Sequence, residues 1–437
     1  MREICRLRGV ILNVNCKGIF KKRQSSAVWS FLLLIVQWFF VKSLDAQYKG
    51  TGSVSQGKAT TITSNLLNCT GGRVAGIGTI KSSDNQSWTV PAETQYSNPN
   101  FPWASDLNNA CNGHNYKTSS EATAALTGSD IITVDADGEV VTGYIFADNY
   151  FEMHVNGVAI GKDKVPFTQF NSSIVRFKVK LPFTVAMLLV DWEENLGLGS
   201  ELNGGFAFHP GDGGMVAVFK NASGKIIGKT DASWKAQTFY TSPIIDLSCP
   251  TESGQVRSSA SCSTADSKDG SSYYALHWPL PSNWMEKGFD DSQWPAAIEY
   301  TNATIGVNNK PAYTNFTDIF DDNSADAKFI WSSNVILDNE VVVRGEVGGS
   351  TMKTSDLNNM GMVYPNPTNG YINIENGMSQ QNVDKLKILT MEGLLISEIS
   401  HPCFPLNVGE GLDPGLYVIR METFYGIQNQ KIEIVTR

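Results

Sequence analysis

Two short acidic stretches hold the residues best suited to chemistry: DWEENLGLGSE, Asp191 to Glu201, and HPGDGG, His209 to Gly214. On a strand, Asp191 and Glu193 would share a face, because side chains alternate with a period of two. With Glu194 they are candidates for the carboxylate pair of a glycoside hydrolase, whose two groups stand roughly 5 to 9.5 Å apart. The same groups suit a hard cation, and Asp191, Glu194 and Asp212 are the set that would brace loops around calcium. A third chemistry is saccharide binding, in which sugar ring faces lie on aromatics and hydroxyls pair with acids and amides. Asp148, Asn149, Trp192, Glu193, Glu194, His209 and Asp212 supply it, in segments that read as loops, where binding groups gather. The competing structural reading puts Trp192 in a core and leaves the acids solvated.

Other chemistries find no pattern. GxSxG and HExxH are absent, and the five histidines (His114, His154, His209, His277 and His401) are scattered without metal-ligand spacing. Asp135, Asp137 and Gly138 mimic the start of an EF-hand loop, but its twelfth position falls on Phe146 rather than an acid. With no nucleophile–base pair to name, the residues favour a binding or adhesive role over catalysis. A structural surface or matrix protein is the third alternative.

The elements that must position these residues are strands. Ile131 to Gly161 reads IITVDADGEVVTGYIFADNYFEMHVNGVAIG, with Asp137-Gly138 and Asn156-Gly157 between apolar runs; these dipeptides supply the positive φ of tight turns and predict a series of hairpins. Further β-like runs are SIVRFKVKL (Ser173 to Leu181), TVAMLLVDW (Thr184 to Trp192), MVAVFK (Met215 to Lys220) and VILDNEVVVR (Val335 to Arg344). No stretch sustains a helical period. The fold class is therefore all-β, with a sandwich or jelly-roll body. Residues 47 to about 125 are polar and fit loops and edge strands laid against that body. Of Trp278, Trp284, Trp294 and Trp331, at least half are expected in the core.

The first 46 residues read as an address rather than as structure. Arg2, Arg6, Arg8, Lys17, Lys21, Lys22 and Arg23 form a basic leader, and AVWSFLLLIVQWFFV, Ala27 to Val41, is an apolar run ending near small Ala46. A spanning helix needs about 20 apolar residues, so a cleaved signal peptide is expected and no transmembrane segment in the mature chain. Setting residues 1–46 aside removes eight Lys/Arg from 34 and two Asp/Glu from 43, leaving 26 basic against 41 acidic residues, a net charge of −15. Such a chain is a poor partner for nucleic acid. Five cysteines remain: Cys69, Cys111, Cys249, Cys262 and Cys403. Outside the cell, sequence neighbours can pair as Cys69 with Cys111 and Cys249 with Cys262, leaving Cys403; other connectivities stay open.

Polar breaks divide the chain further. Glu252 to Ser272 is Ser-rich and charged, and GGSTMKTSDLNNMG, Gly348 to Gly361, reads as a linker. The expected order is a signal peptide at 1–46, a β-sandwich cargo at 47–250, a second β-rich segment or second half of the cargo at 251–350, a linker at 351–361 and a terminal module at 362–437. In that module VYPNPTNG precedes a first strand, YINIE. LKILTMEGLLI gives two strands about Glu392-Gly393, LDPGLYVIRM a turn and a strand, and KIEIV a last strand. This order resembles the C-terminal sorting domain of bacterial type IX secretion substrates. The resemblance implies a small immunoglobulin-like β-sandwich, read by the type IX machinery at the outer membrane, with the cargo secreted or held at the outer cell surface. Cys403 has no counterpart in that pattern.

Two cargo stretches carry shorter resemblances. YIFADNYFEMHVNGVAIG, Tyr144 to Gly161, is similar to a strand–turn–strand of galactose-binding-like and PA14-like domains. NWMEKGFDDSQWP, Asn283 to Pro295, followed by FIWSSNVILDNEVVVR, Phe329 to Arg344, resembles jelly-roll accessory domains attached to glycosidases, in which the two pieces come in the opposite order. Both imply a glycan ligand.

Overall fold

The computed structural model describes residues 48–167, 170–267, 270, 273–348, 363–374, 383–391, 393–423 and 426–435. The expected signal peptide and the 351–361 linker lie outside the described residues.

TVAMLLV, Thr184 to Val190, is apolar at almost every position, which suits a strand buried on both faces. In the strand Phe183–Val190, Val185, Met187 and Leu189 join one apolar cluster while Ala186, Leu188 and Val190 join another. The strand Asp338–Val347 divides the same way, Val341 and Val343 to one side and Val342 to the other. Each such buried side chain contributes roughly 1.5–3 kcal/mol relative to exposure.

These two strands pair antiparallel within a seven-stranded sheet ordered Ser53–Gln56, Tyr274–His277, Lys235–Ile244, Asp338–Val347, Phe183–Val190, Tyr150–Val155, Val158–Lys162. A nine-stranded sheet runs Ile298–Tyr300, Phe329–Trp331, Gly214–Asn221, Glu139–Asp148, Ser172–Val179, Ser105–Asn109, His114–Asn115, with Ile226–Lys229 and Ile131–Thr133 attached to it. Ile145, Phe177 and Phe219 of the second sheet share a cluster with Val185, Met187 and Val343 of the first, so the body is a sandwich. Strands from before and after residue 250 alternate in the seven-stranded sheet, and the nine-stranded sheet carries Ile298–Tyr300 and Phe329–Trp331 together at one edge. The outer face of the seven-stranded sheet is covered by Ala75, Ala92, Trp278, Trp284 and Trp294. With Trp331 inside the sandwich, all four tryptophans in question are buried.

Two local expectations are corrected. Asn156-Gly157 does make a tight hairpin turn, with φ of 50° and 86°, joining Tyr150–Val155 to Val158–Lys162. Asp137-Gly138 does not join a hairpin: Ile131–Thr133 runs parallel to Ser172–Val179, and the amides of Val134 and Asp135 both donate to the Lys178 carbonyl. Nor does Glu139–Asp148 fold back on Tyr150–Val155. The chain passes at Asn149 from the nine-stranded sheet to the seven-stranded one. Four short helices, Ser119–Ala125, Asn302–Ile305, Pro311–Thr314 and Thr317–Phe320, also escaped the periodicity reading, because seven residues or fewer cannot establish a 3.6-residue repeat.

Disulfides join Cys69 to Cys111 and Cys249 to Cys262, and Cys403 is exposed and free. The terminal module has its own core, including Val363, Ile372, Leu386, Ile388, Ile419 and Ile432. Its larger sheet is ordered Leu395–Ser400, Val383–Leu389, Gly415–Thr423, Gly426–Ile434, and a three-stranded sheet holds Val363–Tyr364, Tyr371–Ile374 and Leu406–Asn407.

Candidate functional site

Several strands of the sandwich end close together. Gly214, the first residue of its strand, pairs with Asp148, the last of its own; Val190, another last residue, pairs with both Tyr150 and Glu340. The residues just beyond these ends line a pocket of about 280 Å³. Asp148 and Asn149 come from the crossover between sheets, Asp191 from one residue past Val190, and Asp212 from the turn before Gly214. Glu201 and Asn203 enter on the two-stranded hairpin Glu201–Asn203 and Phe206–His209.

Backbone hydrogen bonds fix the acidic wall. The Asp191 amide donates to the Asn339 carbonyl at 2.9 Å, and the Asn149 amide to the Val190 carbonyl at 3.2 Å. Asn149 Oδ1 accepts the Trp192 amide at 2.5 Å, while its Nδ2 donates to Asp148 Oδ1 at 2.6 Å. Gly211 passes so near that a Cβ there would lie 3.0 Å from both oxygens of Asp191. Asp191 is only 3% exposed, yet neither its carboxylate nor that of Asp212 has a hydrogen-bond or ion-pair partner among the described residues.

The same lining carries two cations, Arg73 and Lys310. Arg73 forms an ion pair with Glu201, and Lys310 holds its ammonium 4.4 Å from the centre of the Phe170 ring. Phe170 in turn stacks on Phe146, with ring centres 6.0 Å apart. With Arg73 engaged by Glu201, three carboxylates face one uncommitted cation. Burial pushes the Asp148 and Asp191 carboxyls well above their ordinary range, and the neighbouring acids reinforce it. Asp212 is pushed up to about 6 by burial and then by Glu201, with His209 and Lys310 opposing. Burial also raises Glu201, against the pull of Arg73. A pocket in which the Asp191 and Asp212 carboxyls have no partner among the described residues suits a ligand rich in hydroxyl or ammonium donors.

Of the residues expected to bind saccharide, Asp148, Asn149 and Asp212 meet here, together with Asp191. The others do not line the pocket. Trp192 is 1% exposed in the cluster outside the seven-stranded sheet, and its indole N–H donates to the Gly76 carbonyl at 2.8 Å. Glu193 is buried and accepts the amides of Gly197 and Gly199 and the Tyr240 hydroxyl, so it clamps its own loop. Glu194 accepts the Leu202 amide at 2.7 Å, and His209 Nδ1 lies 2.6 Å from Asp266 Oδ1. The calcium set is thereby divided, since Asp191 and Asp212 share the pocket while Glu194 serves the hairpin. Among the described residues no group of three or more His, Cys, Asp or Glu is arranged to hold a metal ion. Arg73, Phe170, Asn203 and Lys310 were not anticipated; they reach the site through tertiary packing that leaves no local mark in the sequence.

Beyond the cargo, residues 362–435 match the secretion system C-terminal sorting domain. The tail is a type IX secretion sorting domain. It directs the protein to the extracellular space or the outer cell surface, and it is the part handled by the secretion machinery. Val363, the first described residue of the sorting domain, is tied to its last strand through Gln430, which receives the Val363 amide at 2.7 Å and donates to its carbonyl at 2.8 Å. Among the described residues no helix is long and apolar enough to cross a membrane.

No curated protein sequence matches the chain. Among solved structures, a beta-glucuronidase of Faecalibacterium prausnitzii aligns at 11% identity and a TM-score of 0.13 over 88% of this chain. The alignment spans 45% of that enzyme's length, and at this score neither its fold nor its activity carries over.

Proposed function

We propose that residues 48–348 act as one extracellular glycan-binding or adhesive body, with a saccharide docked in the pocket between Asp191 and Lys310. One observation carries this reading: Asp191 is only 3% exposed, its carboxylate lines the pocket, and it has no partner among the described residues. A buried polar group without a partner costs about 1–3 kcal/mol, more when charged, which favours a ligand that donates to it. Sugar hydroxyls do so, and a sugar amine does so with added charge; uronic acids would be repelled. The full-length secreted protein on a glycan array is expected to retain neutral or basic glycans, and Asp191→Asn to weaken that retention at least tenfold. Retention unchanged by Asp191→Asn would overturn the assignment of the pocket.

A second reading, a glycoside hydrolase, is supported by the raised carboxyls themselves, because neighbouring acids with separated protonation behaviour are what an acid–base pair needs. On this reading the pair would be Asp191 with Asp212 or Asp148; Glu193 is committed to its loop and Glu194 to the hairpin. Release of reducing ends from a polysaccharide, lost in both Asp191→Asn and Asp212→Asn, would establish it. A matrix role without binding or turnover predicts only self-association.

A further inference from the structure

Beside the acidic pocket lies a second one, of about 370 Å³, and Phe170 and Lys310 line both. Its chemistry is different: Asn108, Asn115 and Asn315 contribute amides in place of carboxylates, and Lys117 adds a second cation to Lys310. Asn108 lies on the strand Ser105–Asn109 and is 5% exposed, yet its side-chain amide makes no hydrogen bond among the described residues. Asn115, opposite it in the register, is exposed and also makes none through its side chain. Asn315 gives a single long bond, Nδ2 to the Tyr116 carbonyl at 3.4 Å. An amide offers two donors and an acceptor, so a buried one left open toward a pocket is matched by a group that both gives and takes hydrogen bonds. A sugar hydroxyl is such a group.

Lys310 stands on the divide. Its ammonium rests on the Phe170 ring and has no ion-pair partner among the described residues, which leaves its donors for a molecule passing from one pocket to the other. We propose that the amide-lined pocket is a second sugar subsite, and that the ligand is a neutral oligosaccharide crossing Phe170 and Lys310. This inference rests on the glycan reading of the acidic pocket. The first sugar sets its hydroxyls against Asp191 and Asp212, and the next sets its own against Asn108 and Asn115.

The test is calorimetric titration of the full-length protein with uncharged N-acetylglucosamine oligomers of one to four units. Tetramer binding is expected to be at least tenfold tighter than monomer binding. Asn108→Ala removes that gain while leaving monomer affinity within twofold, and exposed Asn115→Ala, which cannot disturb the core, reduces the gain in the same direction. Equal affinity for monomer and tetramer, or equal weakening of both by the asparagine variants, overturns the second subsite while leaving the acidic pocket as a binding site. If the array yields only charged glycans and no N-acetylglucosamine oligomer binds, the neutral class falls and the glycan reading stands. If neither the array nor the oligomers give binding, both fall together.

Discussion

Asp212→Asn isolates the electrostatics of the acidic pocket with almost no change of shape. In the folded protein the Asp212 carboxyl is pushed from 3.8 up to about 6 by burial and by Glu201. Its folded value lies above the unfolded one, so its contribution to stability is complete below about pH 4 and is lost as pH rises through about 6. A displacement of that size corresponds to about 3 kcal/mol. Asp212 is partly exposed and shares the pocket's charge with Asp148, Asp191 and Glu201, so about half, ~1.5 kcal/mol, is expected at this one residue. For a body of this size that is about 3 °C in melting temperature.

The assay is thermal unfolding of the full-length protein and of Asp212→Asn at about pH 3 and at about pH 7.5, without ligand. At about pH 3 the wild-type carboxyl is protonated in both the folded and the unfolded chain and the two proteins should melt close together; at about pH 7.5 the variant should melt about 3 °C higher. Other buried acids add to the pH slope, Glu152, Glu193 and Asp163 pushed up to about 7 and Glu340 to about 8, each chiefly by burial. They are present in both proteins and cancel in the difference. An offset that is the same at both pH values would refute the claim that these carboxylates face each other in a desolvated pocket.

Gly211→Ala would place a Cβ 3.0 Å from both Asp191 oxygens, so glycan affinity should fall several-fold in titration calorimetry with little change in melting temperature. Glu193→Ala strips the acceptor from the Gly197 and Gly199 amides and the Tyr240 hydroxyl, and chemical denaturation should show a loss of roughly 3–5 kcal/mol. Cys262→Ser opens the loop closed by the bond to Cys249, 13 residues away, and should cost about 3 kcal/mol in the same assay. Removal of residues 362–437 should leave the protein inside the cell envelope, read by immunoblot of medium and cell fractions; equal export would contradict the role of the sorting domain.

The sandwich was legible because its strands announce themselves: TVAMLLV and VVVR are too continuously apolar for a strand with a wet face, and Asn156-Gly157 can scarcely be anything but a tight turn. What sequence could not convey was the partner of each strand. Asp137-Gly138 has turn chemistry as good as Asn156-Gly157, but the Lys178 carbonyl captures the amides of Val134 and Asp135 and lays Ile131–Thr133 parallel to a strand some forty residues on. Local turn propensity of a few tenths to 1 kcal/mol yields to pairing of that kind.

The acids of the site show the same limit at the scale of single side chains. Asp191 and Glu193 stand two apart, and strand alternation would put them on one face. The strand ends at Val190, however, because Asp191 directs its amide to the Asn339 carbonyl and the chain then leaves the sheet. From that point alternation no longer governs. The Gly-rich run NLGLG curls its amides round Glu193, where glycine at 197 and 199 permits φ of 86° and 55°. One carboxylate is thus consumed by its own loop, while the other is buried with nothing to accept. The difference between a structural acid and a candidate binding acid lies in which backbone amides come within reach: two reach Glu193, and among the described residues none donates to the Asp191 carboxylate.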